Sequence, residues 1–414
     1  MKILIVAPMV PQADGAGAIP VLLHAQLEGL EELGDEVTLV TAIGDEPGEA
    51  AAAARLSAAG ADVHFADRRL PGSRGRRWRR RLRLAGTWAR GKEPWRAIWF
   101  AYPGIQPIVD RLAETRGFDV AVVEDSAMSS IRPPSGTPAI LAEHEVLRPR
   151  PVDWHPGSLR DLPRWALLEL DWRRRPRFQR RAWGRFNRVL AFSRRDAEAI
   201  AELAPEIADR VLVSPFGMNL PPAADPGRER AGTVLFVGNF THQPNRDAAS
   251  WLAGEIMPTV RSRHPGARLR MVGTSPTPEV LALGGDGVEV IGDAPSIEPH
   301  MEEAAVVVAP VRTGGGMRMK VLQALAAGKA MVTTSRGVEG FDCFDEQPPL
   351  ALADGADEFA AATAALLDDP HRRAEIGGRA REFAERHFSP AAWAARLERA
   401  YAAPGREPRG SSLG

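Results

Sequence analysis

Short apolar runs with almost no polar interruption alternate along this chain with stretches of helical periodicity, and this rhythm restricts the possible folds. Examples from the first half are KILIVAPMV, EVTLVTA, FDVAVVE, PAILAEHE, RVLAFS and RVLVSPFG. A continuous apolar run is typical of a strand covered on both faces, as in a parallel sheet. Strand–helix–strand order further implies right-handed crossovers. The sequence therefore predicts an α/β fold of doubly wound parallel sheets.

The alternation of strand and helix patterns is interrupted by one segment and resumes after it. That segment, NLPPAADPGRERAG, contains three prolines, two glycines and mixed charge, which is typical of a linker. A helix is expected at Asn245–Arg263, and the strand patterns after the break are TVLFVGN, ARLRMVG, VEVIGD, AAVVVAPV and AMVTTSRG. A chain of 414 residues is long enough for two full cores. We therefore predict two Rossmann-like domains, residues 1–218 and 233–389, joined by residues 219–232.

Helical patterns fill the C-terminal end of the chain. They cover Ala356–Leu367, His371–His387 and Pro390–Tyr401. Ser389 can cap the last helix, with Pro390 at its first position, where no intrahelical N–H bond is needed. The tail at residues 404–414 is predicted to be disordered.

Composition excludes several classes of protein. Basic and acidic residues number 53 each, so the net charge gives no reason to expect a polyanionic partner. The single cysteine, Cys343, excludes an intrachain disulfide framework and a multi-cysteine zinc site. No apolar run approaches the roughly 20 residues that span a bilayer. Residue usage rich in arginine, alanine and proline suggests a bacterial protein, and we expect it in the cytoplasm.

The N-terminal stretch, MKILIVAPMVPQADG, combines a lysine with a short apolar run, as a signal peptide does. Pro8 and Pro11 interrupt that run, and no small-residue cleavage site follows cleanly. We therefore interpret it as the first buried strand.

A triple glycine near residue 315 is the most informative local motif. The strand pattern AAVVVAPV ends, Thr313–Gly316 turn, and a helix carrying Arg318 and Lys320 is expected from Met317 onward. A helix N-terminus offers unsatisfied N–H groups and about half a positive charge, and glycines let a ligand approach the backbone. With two cations added, the motif favours an anion site that suits a diphosphate. A glycine turn with two solvated cations is the alternative.

Longer stretches resemble the donor domain of retaining GT-B glycosyltransferases, in particular family 4-like group 1 glycosyltransferases with a GGG-x-R-x-K motif. The matching stretches are TVLFVGNFTHQPNRDAASWL, ARLRMVGTSP, VEVIGDAPSIEPHMEEAAVVVAP and GGGMRMKVLQALAAGKAMVTTSRGVEG. The first half resembles the family more loosely. The resemblance implies a GT-B fold, in which two Rossmann-like domains face each other across a cleft. It also implies that residues 390–403 cross back to the N-terminal domain.

The resemblance further implies which residues hold a nucleotide-sugar donor. These donor-binding residues are Gly15, Gly17, Gly238, Asn239, Gly273, Thr274, Asp293, Ala294, Thr313, Gly314, Gly315, Gly316, Met317 and Gln323. Many relatives carry an Arg and a Lys in the loop after the first donor-domain strand, where this sequence has GNFTHQPN. Arg318 and Lys320 are therefore expected to neutralise the leaving diphosphate. The family's pair of glutamates is replaced by Gly315 and Gln323, and the neutral Gln323 is a weaker acceptor for a ribose hydroxyl.

Fewer residues of the N-terminal half match the family. His144, in AEHEV, corresponds to a histidine near the transferred sugar and joins Arg318 and Lys320 in the predicted catalytic set; a surface salt-bridge residue is the alternative. Glu124 and Asp125 are candidates for acceptor contact. Glu143 and its second neighbour Glu145 invite a general-base interpretation, but strand alternation points both away from His144.

Two basic segments contain interleaved tryptophan and leucine. They are GSRGRRWRRRLRLAGTWARGKEPWR and DWRRRPRFQRRAWGRFNR. Such segments can lie on an anionic membrane, which makes Arg74–Arg96 a candidate contact with the inner face of the plasma membrane. An arginine-rich face paired with acidic neighbours is the alternative, and a nucleic-acid partner is not expected.

The sequence as a whole predicts a retaining, metal-independent glycosyltransferase. It would transfer a sugar from a nucleotide-diphosphate sugar to a hydroxyl of a glycan, a lipid-linked intermediate or a natural product, with no cofactor beyond that substrate. No His, Asp and Glu residues cluster at metal-ligand spacing. Two alternatives stay open: a GT-B nucleotide-sugar epimerase, and a non-catalytic homologue that binds nucleotide sugars or membranes.

Overall fold

The computed structural model describes residues 1–13, 18–45, 48–68, 74–91, 93–100, 102–144, 146, 162–314 and 317–402. The chain divides into two compact units. The N-terminal unit comprises Met1–Met218 and the segment that begins at Pro390, and the donor unit comprises Asn219–Ser389. The predicted tail at residues 404–414 lies outside the described residues.

The N-terminal unit is built on a seven-stranded parallel sheet with strand order β3-β2-β1-β4-β5-β6-β7. Its strands are β1 (Lys2–Val6), β2 (Glu36–Ile43), β3 (Asp62–Asp67), β4 (Val120–Glu124), β5 (Ala139–Glu143), β6 (Arg188–Ala191) and β7 (Val211–Val213). Ile5 is in register with Leu39 on one side and with Val122 on the other. Strand β1 therefore lies where the direction of winding reverses.

The described residues that precede the donor unit in the chain form seven α-helices. They are α1 (Ala18–Glu32), α2 (Glu49–Ala58), α3 (Arg74–Arg90), α4 (Trp95–Phe100), α5 (Ile105–Thr115), α6 (Leu162–Trp183) and α7 (Arg194–Leu203). A 3-10 turn, Ser126–Met128, follows β4 directly. Both faces of the sheet are covered, which explains why its central strands are apolar throughout.

The donor unit contains a six-stranded parallel sheet with strand order β10-β9-β8-β11-β12-β13. Its strands are β8 (Thr233–Val237), β9 (Arg268–Gly273), β10 (Val288–Gly292), β11 (Val306–Ala309), β12 (Met331–Thr333) and β13 (Ala351–Leu352). Phe236, Phe240, Trp251 and Phe359 pack in its core. This alternation of strands and helices places every strand's carboxyl end at the same edge of the sheet.

The helices of the donor unit follow the predicted pattern closely. They are α8 (Gln243–Trp251), α9 (Met257–Arg263), α10 (Pro278–Leu281), α11 (Glu298–Glu303), α12 (Met319–Ala326), α13 (Ala356–Asp368) and α14 (Pro370–Phe388). A π-helical turn, Leu252–Ile256, connects α8 to α9. The helix expected at Asn245–Arg263 is thus present, with one turn of wider winding inside it.

The segment predicted as a linker, residues 219–232, packs along the donor unit. The backbone N–H of Ala224 donates to the carbonyl of Ala327 at 2.9 Å, and the N–H of Arg230 donates to the carbonyl of Glu303 at 3.0 Å. Glu229 forms an ion pair with the buried Arg373. These contacts make the segment part of the donor unit.

The last helix, α15 (Pro390–Tyr401), belongs to the N-terminal unit. It packs against α1 so closely that a Cβ atom at Gly29 would lie 2.6 Å from the carbonyl oxygen of Pro390. Trp393, Leu397 and Tyr401 are buried on it. The two ends of the chain therefore complete one unit.

None of the helices formed by the described residues combines the length and the apolar character that a bilayer span requires.

Candidate functional site

Strand β8 of the donor unit lies between β9 and β11, so the direction of winding reverses at this strand. In open parallel sheets, ligands bind at the carboxyl ends of the strands where such a reversal occurs. The loops after β8, β9, β10 and β11 meet at this edge. They contain most of the donor-binding residues predicted from the sequence.

Three of these loops are tied together through their backbones. The N–H of Phe240 donates to the carbonyl of Thr274 at 3.0 Å, and the N–H of Asp293 donates to the carbonyl of Gly273 at 2.8 Å. A Cβ atom at Gly273 would overlap the carbonyl oxygen of Gly238, so only glycine fits there. The structure therefore brings the predicted residues Gly238, Gly273, Thr274 and Asp293 into one cluster of loops.

The backbone at this edge is strained. Ser275 and Asp293 have φ angles of 49° and 50°, in the left-handed region that residues other than glycine rarely adopt. The N–H of Ser275 donates to Oδ1 of Asp293 at 2.9 Å and holds the pair in place. Ala294 follows directly. Strain of this kind clusters at ligand-binding sites, and the base pocket expected here stays a prediction.

The glycine turn after β11 adopts a conformation that requires glycine. Gly314 has a φ of 96°, and a Cβ atom there would lie 3.1 Å from Cγ of Pro244 and 3.4 Å from the guanidinium of Arg318. Gly315 and Gly316 lie outside the described residues. Helix α12 begins at Met319, two residues later than the sequence predicts.

Arg318 is the N-cap residue of α12, and its side chain folds back over the turn. One of its terminal nitrogens donates to the carbonyl oxygen of Thr313 at 3.4 Å. Met317 packs beneath Gly340, whose φ of 98° lets the two backbones approach. The backbone of Arg318 is extended, with a φ of −92° and a ψ of 101°. Helix α12 can therefore begin only after this residue.

Lys320 points from the first turn of α12 toward the loop after β8. Its Nζ donates to Oδ1 of Asn245 at 2.6 Å and lies 4.6 Å from the centre of the Phe236 ring. Burial, helped by the positive charge of Arg318, lowers the pKa of Lys320 from 10.5 to about 7. No carboxylate of the described residues pairs with this ammonium group, whose hydrogen-bonding partner is the Asn245 amide.

Asn245 joins the two loops and was not among the residues predicted from the sequence. Its Nδ2 donates to the carbonyl of Asn239 at 2.7 Å while its Oδ1 accepts from Lys320. A Cβ atom at Gly238 would lie 3.1 Å from the Asn245 amide carbon, so that glycine makes room for it. The side chain of Asn239 caps its own loop by accepting from Thr241. The only sequence signal for Asn245 was its position after Pro244 in the first turn of α8.

Gln323 lies on α12 one turn after Lys320 and is partly exposed. This position on the helix agrees with a contact to the nucleotide, which stays a prediction. Among the described residues, no group of three or more His, Cys, Asp and Glu side chains is placed to hold a metal ion.

In the N-terminal unit, His144 is held by a buried carboxylate. Its Nε2 lies 2.9 Å from Oε2 of Glu124, and only 7% of the His144 side chain is exposed, unlike a surface salt-bridge residue. The other oxygen of Glu124 accepts from Nε2 of Gln26, which also donates to the hydroxyl of Tyr401 on α15. Glu124 was predicted as an acceptor contact, which stays a prediction; in the structure its carboxylate is bound by His144 and Gln26.

Glu143 points away from His144, as the strand alternation predicts. Its carboxyl group accepts from Nε1 of Trp183 at 2.6 Å and from the hydroxyl of Ser126 at 3.2 Å. Burial and the negative charge of Asp125 raise the pKa of Glu143 from 4.5 to about 8. Asp125 itself has a φ of 80° and pairs with Arg96. Gly15, Gly17 and Glu145 lie outside the described residues.

The predicted membrane segment, Arg74–Arg96, forms α3 and the start of α4. Trp78 and Leu82 are exposed at 61% and 53%, whereas Trp88 donates to Asp171 at 2.7 Å and Arg96 pairs with Asp125. Lys92 and several arginine side chains of this segment lie outside the described residues. Membrane contact therefore stays a prediction, and it would involve the first half of α3.

Residues 231–369 match the family model described as "Glycosyl transferases group 1". Over these residues the match confirms the resemblance to group 1 glycosyltransferases and the predicted enzyme class, glycosyltransferase. It covers the loops described above from Gly238 to Gln323. No curated protein sequence matches the chain.

Solved structures confirm the GT-B fold class. HepE from Anabaena, in complex with UDP-glucose, is 14% identical, with a TM-score of 0.61 over 96% of this chain and 98% of that one. Sucrose-phosphate synthase from Thermosynechococcus elongatus is 18% identical, with a TM-score of 0.63 over 97% and 98%. A variant of S. aureus TarM, in complex with fondaparinux, α-GlcNAc-glycerol and UDP, is 8% identical, with a TM-score of 0.65 over 97% and 100%.

Proposed function

We propose that this protein transfers a sugar from a nucleoside-diphosphate sugar to a hydroxyl acceptor, with retention of configuration and without a bound metal or cofactor. One observation carries the proposal. Within a matched group 1 glycosyltransferase domain, Lys320 and Asn245 join the start of α12 to the loop after β8, where the winding of the sheet reverses, and Arg318 folds over the neighbouring glycine turn after β11.

In this proposal the diphosphate lies against the turn at Gly314 and the N-terminus of α12. The helix N-terminus and the two cations supply the positive charge that the departing diphosphate needs. Charge stabilisation of this kind at a leaving group contributes several kcal/mol to catalysis. A metal ion would be redundant beside two cations and a helix N-terminus, which is why we propose metal independence.

The base and ribose lie over the loops after β9 and β10. Uridine is favoured because HepE and TarM were solved with UDP or a UDP-sugar. The side-chain amide of Gln323 accepts a bond from the ribose hydroxyls, more weakly than a carboxylate would.

His144 lies beside the transferred sugar in this proposal, and Glu124 keeps its ring in one orientation. The acceptor hydroxyl attacks on the face of the leaving group, and a phosphate oxygen of the donor takes its proton. No side chain is needed as general base. Glu143 points away from His144, and its carboxyl group is engaged by Trp183 and Ser126, so we assign it no such role.

Calorimetric titration with UDP, GDP and ADP, followed by turnover of the matching nucleotide sugars in EDTA, tests the proposal. UDP should bind, UDP-sugar should be consumed when an acceptor is present, and EDTA should have no effect. Arg318→Ala should lower turnover by orders of magnitude with an unchanged melting temperature, and an undiminished rate would contradict the assignment.

Two other functions predict different results in the same assays. An epimerase would convert a nucleotide sugar with no acceptor present. A non-catalytic homologue would bind the nucleotide but turn over no sugar, and the neutral Gln323 in place of the usual glutamate is the observation that favours it. Gln323→Glu would then raise nucleotide affinity without creating turnover.

A further inference from the structure

A cavity of about 490 Å³ lies in the N-terminal unit, among α4, the 3-10 turn after β4 and the C-terminal half of α6. Its floor is apolar and consists of Ala97, Ile98, Ala127, Phe178 and Ala182, all buried. A volume of this size and an apolar lining are typical of small-molecule sites. Of the predicted donor-binding and catalytic residues that the structure describes, none lines this cavity.

The rim of the cavity is basic. Arg181 and Arg185 lie on it, and both are exposed. Arg185 donates to the carbonyl of Ser129, and no ion pair joins either guanidinium to a carboxylate of the described residues. Among the described residues that line the cavity, Glu93 is the single carboxylate. The rim therefore favours an anion that lies close to an apolar group.

A second cavity, of about 380 Å³, adjoins the first. The two share Ser130 and Arg185, and the second adds Arg132 to the basic lining. Arg132 is likewise without an ion pair among the described residues, since only its backbone groups bond to Gln106. Three arginines thus line two adjoining cavities, which suits a doubly charged group such as a phosphate better than a single carboxylate.

The first cavity lies close to the carboxyl ends of β4 and β5. A smaller cavity shares Ala97, Ala127 and Phe178 with it and is also lined by Asp125 and Glu143. A ligand in the large cavity would therefore lie next to the strand ends at which an acceptor is expected.

Helix α6, which supplies Phe178 and Arg181, also exposes apolar side chains on its N-terminal half. Leu167, Leu168 and Leu170 are 55%, 42% and 44% exposed. Neighbouring exposed leucines of this kind are unusual on a helix of a soluble domain and indicate an apolar partner. The same helix therefore offers apolar contacts at one end and cationic contacts at the other.

We propose that the cavity between α4 and α6 binds an amphipathic anion, with its phosphate at Arg181 and Arg185 and the adjoining apolar chain on the wall formed by Ile98 and Phe178. Its identification as the anchor of a lipid-linked acceptor rests on the proposed function. The binding itself requires only the cavity and its rim.

Titration of the full chain with octyl phosphate, below its micellar concentration, tests the site. Octyl phosphate should bind at least about tenfold more tightly than inorganic phosphate or octyl glucoside, because each of these lacks one half of the interaction. The double variant Arg181→Ala/Arg185→Ala should lose at least about tenfold in affinity. Ser130→Trp, at an exposed position shared by both cavities, should obstruct binding. Arg173→Ala, on the exposed arginine of α6 that pairs with Glu169, is the matched control and should bind as the native protein does.

Three outcomes would overturn the site: no binding of octyl phosphate, equal binding of octyl glucoside, or equal losses in Arg173→Ala and in the double variant. Vesicles containing phosphatidic acid test whether the arginines bind headgroups at a membrane surface rather than one ligand in the cavity. Binding to vesicles without binding of octyl phosphate would assign the arginines to surface attraction and also overturn the cavity site. Titration with UDP in the same samples keeps the two proposals apart, since either ligand can bind when the other does not.

Discussion

The ammonium group of Lys320 lies 2.6 Å from the side-chain oxygen of Asn245, and this amide is its hydrogen-bonding partner at the edge of the donor sheet. An amide and an aromatic ring compensate poorly for the water that the ammonium loses. The pKa of Lys320 is accordingly lowered to about 7. A bound diphosphate would supply the missing negative charge, so donor binding and protonation of Lys320 should be coupled.

We expect the affinity for UDP-glucose to depend on pH in a defined direction. Above pH 7 the free Lys320 is mostly neutral, so binding must first take up a proton. Affinity should therefore be about tenfold weaker at pH 8 than at pH 6. UDP-glucose is the suitable ligand because it has no terminal phosphate that titrates in this range. Titrations at pH 8 in buffers of different ionisation enthalpy should show the uptake of nearly one proton.

Lys320→Met removes this titrating group and should remove both the pH dependence and most of the binding. Lys2→Met, on an exposed lysine of the N-terminal unit, is the control and should leave both unchanged. A pH-independent affinity in the native protein would contradict a lowered pKa for Lys320.

Asn245→Asp should weaken donor binding more than Asn245→Ala. The new carboxylate would pair with Lys320 and raise its pKa, but it would also face the diphosphate with a like charge. We expect UDP-glucose affinity to fall at least about tenfold in the aspartate variant, without the pH dependence of the native protein. The alanine variant should lose less, since it removes only hydrogen bonds. An aspartate variant that binds UDP-glucose as tightly as the native protein would place the diphosphate elsewhere.

Gly273→Ala should destabilise the donor unit. The added methyl group would overlap the carbonyl oxygen of Gly238, and backbone atoms cannot rotate away as a side chain can. Overpacking of this kind costs about 1–3 kcal/mol or more in the free energy of unfolding. Gly254→Ala is the matched control, because its Cβ would enter open space on a helix. In urea denaturation, the midpoint of Gly273→Ala should be lowered and that of Gly254→Ala should not. Equal midpoints for the two variants would disprove the close approach.

Glu143→Gln should change how stability depends on pH. The pKa of Glu143 in the folded protein is raised to about 8, so the folded state holds a proton that the unfolded state releases near pH 4.5. Its contribution to stability is fully present below pH 4.5 and is lost as pH rises through 8, by about 1.4 kcal/mol for each pH unit at most. The glutamine variant should lack this loss, whereas Glu36→Gln, on an exposed glutamate, should retain it. Thermal melts from pH 5 to pH 8.5 measure the difference, and parallel curves for Glu143→Gln and the native protein would refute the raised pKa.

The fold could be read from the sequence where strands are buried on both faces. Strands β1, β4, β8 and β11 are continuous apolar runs, and each lies within its predicted pattern. Strand β3, with the sequence DVHFAD, was missed because it is an edge strand of alternating character. Its Asp62 accepts from the hydroxyl of Thr38 at 2.7 Å, and such a pairing cannot be seen in a local pattern.

The residues of the candidate site could be predicted where the residue type itself indicates the role. They could be predicted less well where the role depends on partners that only the fold brings together. Gly238, Gly273 and Gly314 are needed for close approach or positive φ, and the sequence singled them out. Asn245 escaped notice because an asparagine in a helix becomes informative only when the loop after β11 brings Lys320 to it. The pairing of Glu124 with His144 and Gln26 could not be predicted, because it depends on three separate elements of the fold.

The placement of α15 has a consequence for how the chain matures on the ribosome. The groove on α1 at Gly29 is filled by a helix whose residues emerge only after the entire segment 219–389 has been made. At ordinary elongation rates this delay is on the order of ten to thirty seconds. During that interval the nascent N-terminal half exposes an unfilled apolar groove, while the continuous segment that follows can fold at once. Chaperone occupancy on translating ribosomes should therefore concentrate on the half of the protein that is synthesised first.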